Sequence, residues 1–216
     1  MDFQYFLNFI PDLVQMQLPA AISHEKMMPF ERKELLKKIN LKERNPKEAA
    51  VLMLLYPKNG QTHLVLIVRN SYPGVHSDQI AFPGGKFESK DADFQTTALR
   101  ETEEEIGISP DKIEILKAFS SLYIPPSNFM VYPFLGICKE EIQFVPDPAE
   151  VAGIIELSLV TFRDDSIVAV ENLSTSYAVN IEVPAFKIDG HIVWGATAMM
   201  LSELRDVLNA VLIRES

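Results

Sequence analysis

Apolar residues near the start of the chain recur three and four apart: Phe3, Phe6, Leu7, Ile10 and Val14. A second run over 30–39 places Leu35, Leu36 and Ile39 on one side, so two helices are expected, with these residues facing inward. Pro46 marks the end of this helical region, and the pattern then changes to that of strands. Residues 49–56 and 63–69 read as a hairpin, joined by the turn Pro57-Lys58-Asn59-Gly60. A Gly- and Pro-rich segment over 73–85 precedes a helix over 94–106, with Asp91 or Asp93 as N-cap and Gly107 closing it. Further strands are expected over 113–119, 131–138, 154–159, 166–170, 177–183 and 191–194. A last helix, 198–213, carries Leu201, Leu204, Leu208, Val211 and Leu212 as one stripe. Mixed strands with a few helices predict an α+β protein or three α/β/α layers.

Composition narrows the possible partners. The 216 residues carry 20 Lys and Arg against 30 Asp and Glu, a net charge of −10. That balance argues against nucleic acid, whose backbone calls for clustered cations. It leaves room for a local basic pocket holding a small phosphorylated ligand. The apolar run 49–56 is far short of the roughly 20 residues of a membrane span. The first ten residues lack a basic region and a small-residue cleavage pattern, so no signal peptide is expected. Cys138 has no second cysteine to pair with and reads as a small buried hydrophobe, compatible with a reducing, cytoplasmic compartment. His24, His63 and His191 do not show metal-ligand spacing, so zinc is not expected.

The most distinctive segment is Arg100-Glu101-Thr102-Glu103-Glu104-Glu105-Ile106-Gly107. A helix places Glu101, Glu104 and Glu105 on one face, within about 6 Å of each other at Cβ. Three such carboxylates repel one another, and near a helix C-terminus they also oppose the macrodipole. A hard divalent cation among them removes the conflict. Ala98, Leu99, Thr102 and Ile106 are left to pack the opposite side. Upstream, Phe82-Pro83-Gly84-Gly85-Lys86 is a loop whose glycines permit close approach of backbone to a ligand.

Taken together, Gly85 to Ile108 resembles the Nudix box of the Nudix hydrolases, with Thr102 at a position that is usually aliphatic. The run Phe82-Pro83-Gly84-Gly85-Lys86, with Tyr123-Ile124-Pro125-Pro126-Ser127-Asn128-Phe129 and Trp194-Gly195-Ala196-Thr197-Ala198 downstream, resembles the coenzyme A pyrophosphatase branch. Asn70, Gly74 and Asp78 depart from that branch's upstream motif. The resemblance implies a Nudix-type α/β/α sandwich with a mixed sheet over 46–216. A helical extension, 1–45, would pack on it.

It further implies a metal-dependent pyrophosphohydrolase, using Mg²⁺ or Mn²⁺ held by Glu101, Glu104 and Glu105. Glu101 or Glu105 would be the general base, and Arg100 would orient a carboxylate through a salt bridge. Gly84 and Gly85 would approach the ligand by their backbone, Arg69 and His76 would contact its phosphates, and Glu150 is a candidate distal carboxylate. The implied substrate is coenzyme A or a related small-molecule nucleotide. ADP-ribose, a dinucleotide, or nucleotide sensing without turnover are the alternatives. Phe129 and Trp194 either stack on a base or belong to the core, and a homodimer is left open.

Overall fold

The computed structural model describes residues 1–70, 79–174 and 180–212. The periodic start of the chain folds into short helices: α1 (Phe3–Leu7), α2 (Ile10–Gln15), α3 (Ala21–Lys26), α4 (Phe30–Lys37) and α5 (Leu41–Arg44). Asp2 caps α1 by accepting from the Tyr5 N–H at 2.8 Å. The break after α1 follows from Pro11, which has no N–H and fits only the first turn of a helix, where α2 begins. Phe3 and Phe6 are buried and Leu7 and Ile10 pack against the same core, but other positions differ from the expected ones. Leu13 is buried, while Val14 is exposed. In α4, Leu35 and Leu36 are only half-covered and Arg32 is the buried residue; Ile39, half-covered too, lies beyond the helix.

Strands β1 (Lys47–Lys58) and β2 (Gln61–Arg69) form the expected hairpin. Asn59 and Gly60 have φ of 48° and 71°, the two positive values that a two-residue type I′ loop requires. Next come β3 (Ile80–Ala81), β4 (Gly84–Lys86) and helix α6 (Phe94–Ile106). Then follow β5 (Glu114–Ala118), β6 (Leu122–Ile124), β7 (Phe129–Ile137), β8 (Val151–Ser158) and α7 (Leu159–Arg163). The chain continues through β9 (Val168–Leu173), β10 (Ile181–Ile188), β11 (His191–Val193) and α8 (Gly195–Leu212).

The main sheet is mixed. β1 pairs in parallel with β7 and antiparallel with both β2 and β4; β3 and β8 flank β2, and β5 and β6 flank β7. A separate antiparallel sheet, β9–β10–β11, accounts for the strand candidates from 166 onward, which the pattern alone had not separated from the main sheet. Part of the candidate 177–183 lies outside the described residues.

Alternation along β1 builds two cores. Ala49, Met53 and Leu55 join Phe3, Phe6, Leu13, Leu204 and Leu208 on one face, so the N-terminal helices and α8 share a core with the sheet. Ala50, Leu52, Leu54 and Tyr56 join Ala98 and Ile106 of α6 on the other. Helix α8 is buried around most of its circumference, including Glu203, which is fully buried. Its carboxylate accepts from the Ala20 N–H at 2.9 Å and from Ser120 Oγ at 2.5 Å, and it lies 3.3 Å from His24 Nε2. Among the described residues, no helix is long and apolar enough to cross a membrane.

Candidate active site

Helix α6 has well-defined ends. Asp93 accepts from the Thr96 N–H at 2.8 Å, and Gly107 closes the helix at φ 74° with its N–H on Glu103 O at 2.9 Å. Ala98, Thr102 and Ile106 are buried, and Thr102 Oγ donates to Ala98 O at 2.7 Å, which explains how a hydroxyl is accommodated there. Packing this side inward sets Glu101 and Glu105 toward β4, whose Gly85 pairs with Ala50 of β1.

Glu105 is 1 % exposed. Its Oε2 accepts from the Gly84 N–H at 2.8 Å, and its Oε1 lies 3.3 Å from Arg69 Nη1. Burial pushes the carboxyl up to about 7, and the charges of Glu101 and Glu150 act in the same direction. Burial also raises Glu101, against the pull of Arg100. Gly84 is sterically required, whereas a side chain at Gly85 would have to displace the Glu101 carboxylate. A Cβ at Gly85 would lie 2.4 Å from the Glu101 carboxyl carbon. At Gly84, where φ is +149°, a Cβ would lie 2.3 Å from Ala50 O.

Arg100 organises the carboxylates. Its Nε and Nη2 grip Asp91 at 2.8 and 3.0 Å, and its Nη1 donates to Glu101 at 2.9 Å and to Glu104 at 2.8 Å. Asp91 is buried and also accepts from Thr97 Oγ1 and the Glu88 N–H; with Arg100 the largest cause, its carboxyl is held well below the usual range. The sequence marks Asp91 only as a possible cap. Its place nine positions before Arg100, once Asp93 is assigned as the cap, is the signal that would have found the pair.

Among the described residues, no three His, Cys, Asp or Glu side chains are arranged to hold a metal ion as they stand. Glu101 and Glu104 are turned onto Arg100. The donor set is nevertheless all oxygen and crowded with negative charge, with two carboxyls raised by burial, and this chemistry fits a hard divalent cation. Glu150 is exposed but faces the same cluster closely enough to raise Glu101 and Glu105. Asn70 anchors its loop, donating through its N–H to Glu150 O at 2.9 Å and through Nδ2 to Pro148 O at 2.5 Å.

A cavity of about 430 Å³ opens beside β4, and its lining includes Arg69, Gly84, Gly85, Phe129 and Trp194. Trp194 and Phe129 are half-buried within that wall, and Phe129 packs against the core as well. His76, Gly74 and Asp78 lie outside the described residues. Cys138 is buried and free, as the sequence suggested.

Residues 46–169 match the NUDIX domain family. Nudix hydrolase 15, mitochondrial, of Arabidopsis thaliana is 30 % identical over 162 residues, 72 % of this chain and 56 % of its own length, so the chain spans little more than half of that relative. An uncharacterised Nudix hydrolase, NudL, of Yersinia enterocolitica is 31 % identical over 172 residues, covering 76 % of this chain and 83 % of its own length. The crystal structure of a Nudix hydrolase from M. smegmatis, RenU, covers 76 % of this chain and 87 % of its own with a TM-score of 0.52; at 16 % identity the likeness is one of fold.

Proposed function

The chain belongs to the NUDIX family, and on that premise we propose that it is a metal-dependent pyrophosphohydrolase. Its substrate would be the diphosphate of coenzyme A or of a related nucleoside diphosphate derivative. One observation carries the reading. The partly and fully buried carboxylates Glu101 and Glu105 abut the glycines of β4, where Gly84 leaves no space for a side chain and one at Gly85 would have to displace Glu101.

In this reading Glu101, Glu104 and Glu105 hold Mg²⁺ or Mn²⁺, which when bound neutralises the diphosphate so that an oxygen nucleophile can approach. The residues of the chain do the remaining work. Glu105, held against the Gly84 N–H and Arg69, and Glu101, held by Arg100, are the two carboxyls placed to take or return a proton. Arg100 positions Glu101 and Glu104 and is itself aimed by Asp91. Arg69 faces the cavity and Glu105 together, which suits a cation that contacts a ligand phosphate. Coenzyme A is favoured by the Phe82-Pro83-Gly84-Gly85-Lys86 run and by the aromatic wall of the cavity. The products would then be adenosine 3′,5′-bisphosphate and 4′-phosphopantetheine.

The segment 1–45 is proposed to be an extension integrated with the domain 46–216, acting in the cytoplasm. The test is a hydrolysis screen with Mg²⁺ or Mn²⁺ across coenzyme A thioesters, ADP-ribose, dinucleotides and sugar nucleotides, with products identified by mass. Cleavage of coenzyme A at its diphosphate supports the proposal. Cleavage of only the other compounds moves the substrate, and tight binding without turnover replaces the enzyme by a nucleotide sensor.

A further inference from the structure

The cavity beside β4 has a charge unlike that of the chain around it. The protein carries a net charge of −10, yet the described residues lining the cavity include Arg32, Arg69 and Lys86 and none that is acidic. A concave site with one sign of charge and low-dielectric walls selects a ligand of the opposite sign. Two of these cations belong to the region already described, Lys86 on β4 itself and Arg69 against Glu105. The third comes from elsewhere. Arg32 sits on α4, in the N-terminal segment, and is 2 % exposed. Its Nη2 donates to Tyr123 O at 2.7 Å, which fixes the guanidinium at β6.

Sheet order separates this cation from the glycine strand. β6 pairs with β7, β7 with β1, and β1 with β4. Three inter-strand spacings come to about 14 Å. A bare diphosphate lying on Gly84–Gly85 is too short to reach the Arg32 end. A nucleoside diphosphate derivative with a further phosphate on its sugar carries an anion toward it. Ser127, in the turn between β6 and β7, also lines the cavity, and its buried hydroxyl has no hydrogen-bond partner among the described residues. A buried, unsatisfied hydroxyl is costly unless something meets it.

We propose that Arg32 and Ser127 form a second anion subsite that reads a sugar phosphate on the ligand, so that the N-terminal helix α4 is part of substrate recognition. The position of the diphosphate in this inference rests on the hydrolase reading above. The test is therefore made on binding, without turnover. Coenzyme A and dephospho-coenzyme A, which differ by that one phosphate, are titrated calorimetrically into wild type, Arg32→Gln and Arg32→Lys in the presence of a chelator.

Wild type is expected to prefer coenzyme A by about tenfold or more, the scale of one charge-assisted hydrogen bond. Arg32→Gln should abolish the preference while leaving dephospho-coenzyme A affinity unchanged, and Arg32→Lys should keep part of it. Equal losses for both ligands would reduce Arg32 to a structural residue, and no preference in wild type would also overturn the proposal. Hydrogen exchange on wild type covers a poorly folding variant: coenzyme A should protect the 30–37 amides more than dephospho-coenzyme A does, and equal protection refutes the subsite. Metal-dependent turnover, measured separately, tests the hydrolase reading alone.

Discussion

Replacing Glu105 by Gln should stabilise the metal-free protein, increasingly so as pH rises. The carboxyl titrates at about 7 in the fold against an ordinary value of 4.5, because burial disfavours its charge more than Gly84 and Arg69 favour it. That rise corresponds to about 3 kcal/mol against the ionised form. Below 4.5 the group is protonated in both folded and unfolded chains and contributes no penalty. Between 4.5 and about 7 the unfolded chain releases the proton first, so stability falls by up to about 1.4 kcal/mol per pH unit. Above about 7 the whole penalty stands.

Glutamine keeps an oxygen acceptor for the Gly84 N–H and carries no charge. Urea unfolding of wild type and Glu105→Gln, with a chelator present and pH stepped from 4.5 to 8.5, reads the difference directly. Near-equal stability at the acid end should widen to about 3 kcal/mol in favour of the variant at the alkaline end. On melting, this is roughly 6–12 °C for a chain of this size. A gap that does not change with pH would refute the reasoning.

Three further outcomes are expected. Gly85→Ala should remain folded but lose at least about a hundredfold in turnover, because the new methyl displaces the Glu101 carboxyl; a near wild-type rate would show that Glu101 does not need that space. Asp91→Asn should cost about 3 kcal/mol in denaturant unfolding, since it leaves Arg100 without its buried partner; a loss below about 0.5 kcal/mol would place the organising contact elsewhere. Glu104→Gln should reduce turnover by about two orders of magnitude and weaken divalent-ion binding in calorimetry, whereas unchanged binding would remove Glu104 from the metal site.

Helix α6 was legible because its signals are local. Asp93, Gly107 and the buried side Ala98–Thr102–Ile106 are set by spacing within one turn or two, and the bounds of α6 match the expected ones. The hairpin was legible for the same reason, since Asn59-Gly60 encodes its own turn. What the sequence hid depends on distant partners. Arg32 on α4 looks like the solvated side of a helix until Tyr123, ninety-one residues away, supplies the carbonyl that holds it. Glu203 interrupts the apolar face of α8 and is tolerated only because Ala20, His24 and Ser120 converge on it. The separate sheet β9–β10–β11 was invisible because strand periodicity gives the faces of a strand but not which sheet receives it.

Strand β1 is a partition wall, and its odd and even residues answer to different demands. Ala49 and Val51 border the ligand cavity, while Ala50 and Leu52 back onto the helix that carries the carboxylates. Changes at Ala49 therefore bear on the cavity and changes at Ala50 and Leu52 on the seat of α6, while Val51, which also packs on Gly84, bears on both. A lineage built on this wall can vary the two sides in part independently, by steps of two along a single strand, with Val51 as the position where both are set together.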